Sequence, residues 1–123
     1  MTAKPRVMFV EDHPDTQAIL THLLEQSGFD VTAVRTVADA LELARDGRFD
    51  AFVLNHVFPD ASGVTLCREL RAMGRAEPII FFSAAAHESE IRIAFEAGAD
   101  EYLKKPGDIV NLAGVVARRL KKS

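Results

Sequence analysis

Five polar positions stand where short runs that read as strands stop. Glu11 and Asp12 follow Val7-Met8-Phe9-Val10, and Asn55 follows Ala51-Phe52-Val53-Leu54. Ser83 follows Pro78-Ile79-Ile80-Phe81-Phe82, and Lys105-Pro106 follows Glu101-Tyr102-Leu103-Lys104. Each has a plain reading by itself. Adjacent acids in a loop are usually solvated, a serine after a strand is a cap or turn residue, and a lysine before proline is surface. Their joint placement, one set per run, is far more specific. The loop Glu11-Asp12-His13-Pro14-Asp15 has no glycine, so it is no phosphate cradle of the nucleotide or flavin type. Its acidity repels phosphate unless a metal intervenes. A phosphatase with an aspartate nucleophile needs a second aspartate at a suitable spacing, and Asp15, with Pro14 between it and Asp12, matches poorly.

The elements that position these residues follow from periodicity. Arg6 to Val10 reads as a strand. Ile19, Leu20, Leu23 and Leu24 then recur at helical spacing, between Pro14 as a helix start and Gly28 as a stop. Phe29 to Val34 is a second, weaker strand. Thr36 is an N-cap with Asp39 in a capping-box position, and Val37, Ala40, Leu41 and Ala44 line the helix that Gly47 ends. The third strand stops at Asn55, and Pro59, Asp60 and Gly63 close the loop behind it. Ser62 caps a helix with Val64, Cys67, Leu70 and Met73 on one face, ended by Gly74. Pro78 to Phe82 is the fourth strand. Glu88 to Ala97 is a helix with Ile91, Ala94 and Phe95, ended by Gly98. Glu101 to Lys104 is the fifth strand. Ile109, Leu112, Ala113, Val116 and Leu120 mark the last helix, with Arg118, Arg119, Lys121 and Lys122 where positive charge suits the helix dipole.

Five alternations of strand and helix predict an α/β fold with a doubly wound parallel sheet. Continuous apolar strands agree, because strands buried on both faces do not alternate. Right-handed crossovers then bring the strand ends to one edge, where ligands bind in such sheets. The 123 residues, 48% of them hydrophobic, suffice for one domain over 1–123. A net charge of -3 argues against a general nucleic-acid binder. The one cysteine, Cys67, excludes an internal disulfide framework and reads as a small core residue. No apolar run approaches the roughly 20 residues of a membrane span, and the N-terminus lacks a signal-peptide stretch. The expected setting is cytoplasmic.

The chain resembles the receiver domains of bacterial two-component response regulators over essentially its whole length. The motifs are Val10-Glu11-Asp12, Leu54-Asn55-His56-Val57-Phe58-Pro59-Asp60-Ala61-Ser62-Gly63, Phe82-Ser83-Ala84, and Gly98-Ala99-Asp100-Glu101-Tyr102-Leu103-Lys104-Lys105-Pro106. The last is the most family-specific. The resemblance implies a five-stranded flavodoxin-like fold of strand order 2-1-3-4-5. It implies that Glu11 and Asp12 hold Mg²⁺, directly or through water, together with Asn55 and the backbone carbonyl of Val57. Hard oxygen ligands and retained water are what Mg²⁺ prefers. Ser83 matches the hydroxyl that bonds a phosphoryl oxygen. Lys105 matches the lysine that pairs with the phosphoryl group or the acceptor carboxylate. Tyr102 matches an aromatic switch that turns inward or outward as Ser83 moves. In the family the Lys-Pro bond is often cis.

The departure is Asn55, which stands where the family has its phosphoacceptor aspartate. An amide carries no formal charge and its oxygen is a poor nucleophile, so no stable acyl phosphate is expected there. Asn55 also removes two like-charge pairs, each about 4 kcal/mol at 4 Å and an effective dielectric near 20, and its NH₂ can donate to Glu11 or Asp12. The expectation is a more stable metal-free fold and weaker Mg²⁺ binding than in Asn55→Asp. A natural phosphorylation-independent receiver, an engineered substitution and slow deamidation back to aspartate are the three explanations. His56 reads as a solvated loop histidine rather than a substitute acceptor, and His13 and His87 as rim residues. Ser62 keeps the capping role of the family's usual aspartate.

The expected function is signalling by protein contact, not catalysis. The partner is a histidine kinase, a phosphotransfer protein or an output domain, met on the face of the fourth helix, fifth strand and last helix. Arg92, Glu96, Tyr102 and Lys104 mark that face. A phosphorylation-independent scaffold or homodimerisation domain is the alternative, and a small enzyme on a flavodoxin-like sheet a more distant one. The chain stops just after the last helix, which suits a stand-alone receiver or one excised from a longer protein.

Overall fold

The computed structural model describes residues 3–121. Strand β1 is Arg6–Val10, β2 Asp30–Val34, β3 Ala51–Leu54, β4 Ile79–Ser83 and β5 Glu101–Lys104. Helix α1 is Pro14–Gln26, α2 Val37–Asp46, α3 Gly63–Ala72, α4 Glu88–Ala97 and α5 Leu112–Leu120, with a short 3-10 turn at Ile109–Asn111 before α5. The strands are all parallel and lie in the order β2-β1-β3-β4-β5.

The apolar strands split their side chains between two cores by simple alternation. Met8, Val10, Phe52, Leu54, Ile79 and Phe81 join α2, α3 and α4 on one face. Val7, Phe9, Ala51, Val53, Ile80 and Phe82 join α1 and α5 on the other. Runs that looked featureless therefore serve both sides of the sheet.

Local signals operate as expected at several ends. Thr36 Oγ1 accepts from Asp39 N at 3.1 Å and Ser62 Oγ from Thr65 N at 3.1 Å. Pro14 opens α1, and Gly98 closes α4 with φ of 116°, a conformation few other residues take. Lys121 forms the C-cap of α5, and Lys122 lies outside the described residues.

The helix faces need correction. In α1, Leu20 and Leu24 are buried, but Ile19 and Leu23 face outward. Phe95 of α4 is 45% exposed, and Met73 is the exposed C-cap of α3. Helical spacing marks an apolar stripe wider than the strip the sheet can cover. Leu66 and Val115, which the spacing passed over, are buried. Strand β4 runs one residue later than the apolar run, because Ser83 still pairs with Lys104.

Cys67 is fully buried, with Sγ 3.5 Å from the carbonyl of Ala97. Burial pushes its thiol up from 9.0 to about 11, against a smaller downward pull from Arg71. Folding keeps this proton, so the contribution is whole below the unfolded pKa of 9.0 and is lost as pH rises towards 11. We expect no reaction with a thiol reagent at pH 8 in the native protein and complete reaction on denaturation; fast native labelling would contradict the burial.

The sheet edge away from the strand C-termini is tied by two guanidinium groups. Arg71 donates to the carbonyls of Gly98, Arg75 and Glu77 and to the Asp100 carboxylate. Arg75 donates to the carbonyls of Ala44, Gly47 and Phe49 and to Glu77. Asp100 also accepts from Ile79 N at 2.9 Å.

Candidate functional site

The parallel register delivers the strand ends together. Val10 pairs with both Val34 and Leu54, Leu54 with Phe81, and Ser83 with Lys104. The ladder runs on into the loops through Glu11 N to Val34 O at 2.9 Å, Asn55 N to Val10 O at 3.1 Å and Lys105 N to Ser83 O at 3.0 Å. The site thus lies beside β1 and β3, where the strand order reverses.

Asn55 sits at its centre. Its Nδ2 donates to Val57 O at 3.0 Å and Asp12 Oδ1 at 3.3 Å, with Glu11 Oε2 at 3.5 Å. Its Oδ1 accepts from His56 N at 2.9 Å. This orientation of the amide suits the network, since the opposite one would set oxygen against three oxygens. Glu11 is 1% exposed. Lys105 Nζ reaches its Oε1 at 2.5 Å, and His13 N donates to its Oε2 at 3.1 Å. Lys105 therefore pairs with Glu11 rather than with residue 55, which offers no carboxylate. The peptide bond Lys105-Pro106 is cis.

Ser83 is buried, and its Oγ accepts from Ala85 N at 3.1 Å. Tyr102 points inward. Its ring stacks on Phe81 with centroids 5.3 Å apart and planes 6° from parallel, and its hydroxyl donates to Ala85 O. Burial raises the Tyr102 pKa above the ordinary 10, opposed by the nearby Ser83 hydroxyl.

The loop after β3 is tightly folded. Phe58 N bonds Ala61 O at 3.1 Å, and Gly63 N bonds His56 O at 2.7 Å. A Cβ on Gly63 would lie 2.0 Å from the backbone oxygen of Asn55, so no side chain fits without moving the site. Gly63→Ala is expected to destabilise by about 2–3 kcal/mol through overpacking. An unchanged denaturation midpoint would contradict this contact.

Two residues of this loop do more than their types suggested. Asp60 caps α2, its carboxylate accepting from Val37 N at 3.3 Å and Ala38 N at 3.1 Å. His56 is not a solvated loop histidine. It is half-buried, with its ring tilted against Phe81 and Tyr102 and its Nδ1 2.9 Å from the Tyr102 hydroxyl. Strand alternation carried two residues past Leu54 places His56 on the face of Phe81, which pairs with Tyr102. That signal was present. His13 and His87 are exposed at the rim.

Residues 7–117 match the family described as response regulator receiver domain. The chain belongs to this family. The receiver is 37% identical over 118 residues to the transcriptional regulatory protein PrrA of Mycobacterium bovis, covering 96% of this chain and 51% of that one. It is 34% identical over 119 residues to the transcriptional regulatory protein CreB of Escherichia coli, covering 94% and 52%. The chain spans about half the length of these curated relatives. Among solved structures, the non-phosphorylated HemR receiver domain of Leptospira biflexa superimposes with a TM-score of 0.89 at 30% identity, covering 98% and 97% of the two chains. A Francisella response regulator receiver domain gives 0.90 at 26% identity, covering 96% and 98%. The flavodoxin-like receiver fold is thereby established.

Receiver domains generally bind Mg²⁺ at an acidic pocket. The donor set of this receiver suits such a cation by type: two carboxylates and a backbone carbonyl converge. They converge on the amide NH₂ of Asn55. Among the described residues no three His, Cys, Asp or Glu side chains cluster as a metal site. No helix among the described residues is long and apolar enough to cross a membrane.

Proposed function

We propose that this chain, over 1–123, is a receiver module that signals by protein contact without phosphorylation at residue 55. One observation carries the reading. The Asn55 NH₂ donates into the same oxygens, from Glu11, Asp12 and Val57, that the family resemblance gives to Mg²⁺. The amide supplies positive hydrogen-bond character where a cation would otherwise stand, and it does so without a nucleophilic oxygen.

The remaining groups take roles from their placement. Glu11, Asp12 and the Val57 carbonyl would hold Mg²⁺, more weakly than with an aspartate at 55 because one negative charge is absent and the amide must turn away. When bound, the ion neutralises charge on phosphoryl oxygens. Ser83 presents a hydroxyl to the same edge, and Lys105 a fixed positive charge. Neither creates an acceptor. The contact face is α4, β5 and α5, where Arg92, Glu96 and Lys104 are exposed. A histidine kinase, phosphotransfer protein or output domain is the partner class, in the cytoplasm, and homodimerisation would use the same face. No catalytic role is assigned.

Beryllofluoride with Mg²⁺ mimics a phosphoryl group on an aspartate and tests the reading in solution. The NMR spectrum of the parent chain is expected to stay unchanged around Ser83, Tyr102 and Lys105, while that of Asn55→Asp shifts. Saturable shifts in the parent would sink the proposal.

A further inference from the structure

His56 joins residue 55 to Tyr102, through its backbone on one side and its ring on the other. Its backbone N–H is held by Asn55 Oδ1 at 2.9 Å, and its carbonyl accepts from Gly63 N at 2.7 Å. Both ends of its peptide are thus fixed. Its ring lies 5.8 Å from that of Phe81 and 6.0 Å from that of Tyr102. Its Nδ1 lies 2.9 Å from the Tyr102 hydroxyl. The hydroxyl has one hydrogen, and that hydrogen goes to Ala85 O. Nδ1 must therefore be the donor, which sets the imidazole proton on that nitrogen.

We propose that His56 is a positioning residue that locks Tyr102 inward, so that the α4–β5–α5 face stands in one arrangement without a phosphoryl group. The inference rests on the reading of that face as the contact surface. Turned outward, the tyrosine would give up its stacking on Phe81 and leave both the half-buried Nδ1–H and the Ala85 carbonyl without this partner. Asn55 contributes by anchoring the His56 backbone, so the residue at the acceptor position and the lock belong to one chain of bonds. In this chain the aromatic is held by a neighbour, whereas a switch needs it free to leave.

The protein contains one tyrosine and no tryptophan, so its intrinsic fluorescence reports Tyr102 alone. The test is acrylamide quenching of that emission in the full chain, with each variant first checked for a cooperative melt. His56→Leu keeps apolar bulk against Phe81 and removes the donor. His56→Asn restores an N–H near the position of Nδ1. Loss of one net hydrogen bond shifts the inward–outward ratio about fivefold. We expect quenching to rise in His56→Leu and to return towards the parent value in His56→Asn. Parent-like protection in His56→Leu overturns the lock, as does equal exposure of the two variants. Should leucine prevent folding, His56→Phe, which packs without donating, is read in the same way. No partner or phosphodonor enters the measurement, so its outcome is separate from that of the function proposed above.

Discussion

Asn55→Asp is expected to take up label from a small phosphodonor in the presence of Mg²⁺, and the parent chain to take up none. This is the largest effect expected of any single substitution here. The reason is the change at one atom. The nitrogen that now donates to Asp12 Oδ1 at 3.3 Å and Val57 O at 3.0 Å becomes a charged oxygen. A carboxylate oxygen attacks phosphorus; an amide does not. The same change reverses two contacts. Donation to Asp12 and the approach to Glu11 Oε2 at 3.5 Å both become repulsion between like charges. Each pair is about 4 kcal/mol at an effective dielectric near 20, before Lys105 and local movement reduce it. The variant should therefore melt lower than the parent without metal, and Mg²⁺ should restore it by more than it raises the parent. Label at residue 55 of the parent, or an equal Mg²⁺ effect on both melts, would refute this account.

Lys105→Met should lower stability by about 3 kcal/mol, near the bottom of the range for breaking a buried pair. For a domain of this size that is a fall in Tm of roughly 10 °C. Glu11 is 1% exposed and its Oε1 has Lys105 Nζ at 2.5 Å. Removing the lysine leaves a buried carboxylate with only the His13 N–H and a long contact to Asn55 on its other oxygen. Glu11→Gln combined with Lys105→Met should recover much of the loss, because no unpaired charge remains. The denaturation midpoints of Lys105→Met, Glu11→Gln, the double variant and the parent close the cycle. A single Lys105→Met substitution without effect would mean that the pair does not hold the site.

Much of this is legible in the amino-acid sequence. Apolar runs marked β1, β3 and β4, since a parallel sheet covered on both faces leaves no polar alternation. Strands β2 and β5 stand at the sheet's edges, carry charged residues and were marked by their place in the strand–helix alternation. Glu11, Asp12, Asn55, Ser83 and Lys105 fell on one edge because their strands end there. What escaped depended on distant partners. Ile19, Leu23 and Phe95 have core-type side chains, but the limited width of the sheet decides what is covered. Asp60 looked like turn chemistry, and it is that, but its carboxylate also serves the N-terminus of α2. His56 was judged by its loop rather than by its register. Its partner Tyr102 lies 46 residues further on, so the strand register, and no pattern within the loop, points to that contact.

The two ends of the sheet differ in mechanical character. At the far edge, Arg71 and Arg75 collect six backbone carbonyls, groups that cannot be exchanged without unfolding loops. At the chemical edge two ties run through side chains alone, Lys105 to Glu11 and Asn55 to Asp12. Each can be swapped for another partner by a bond rotation. The domain is pinned through its backbone at one end, so a change beside residue 55 re-pairs Lys105 and Asn55 while the far edge stays as it is.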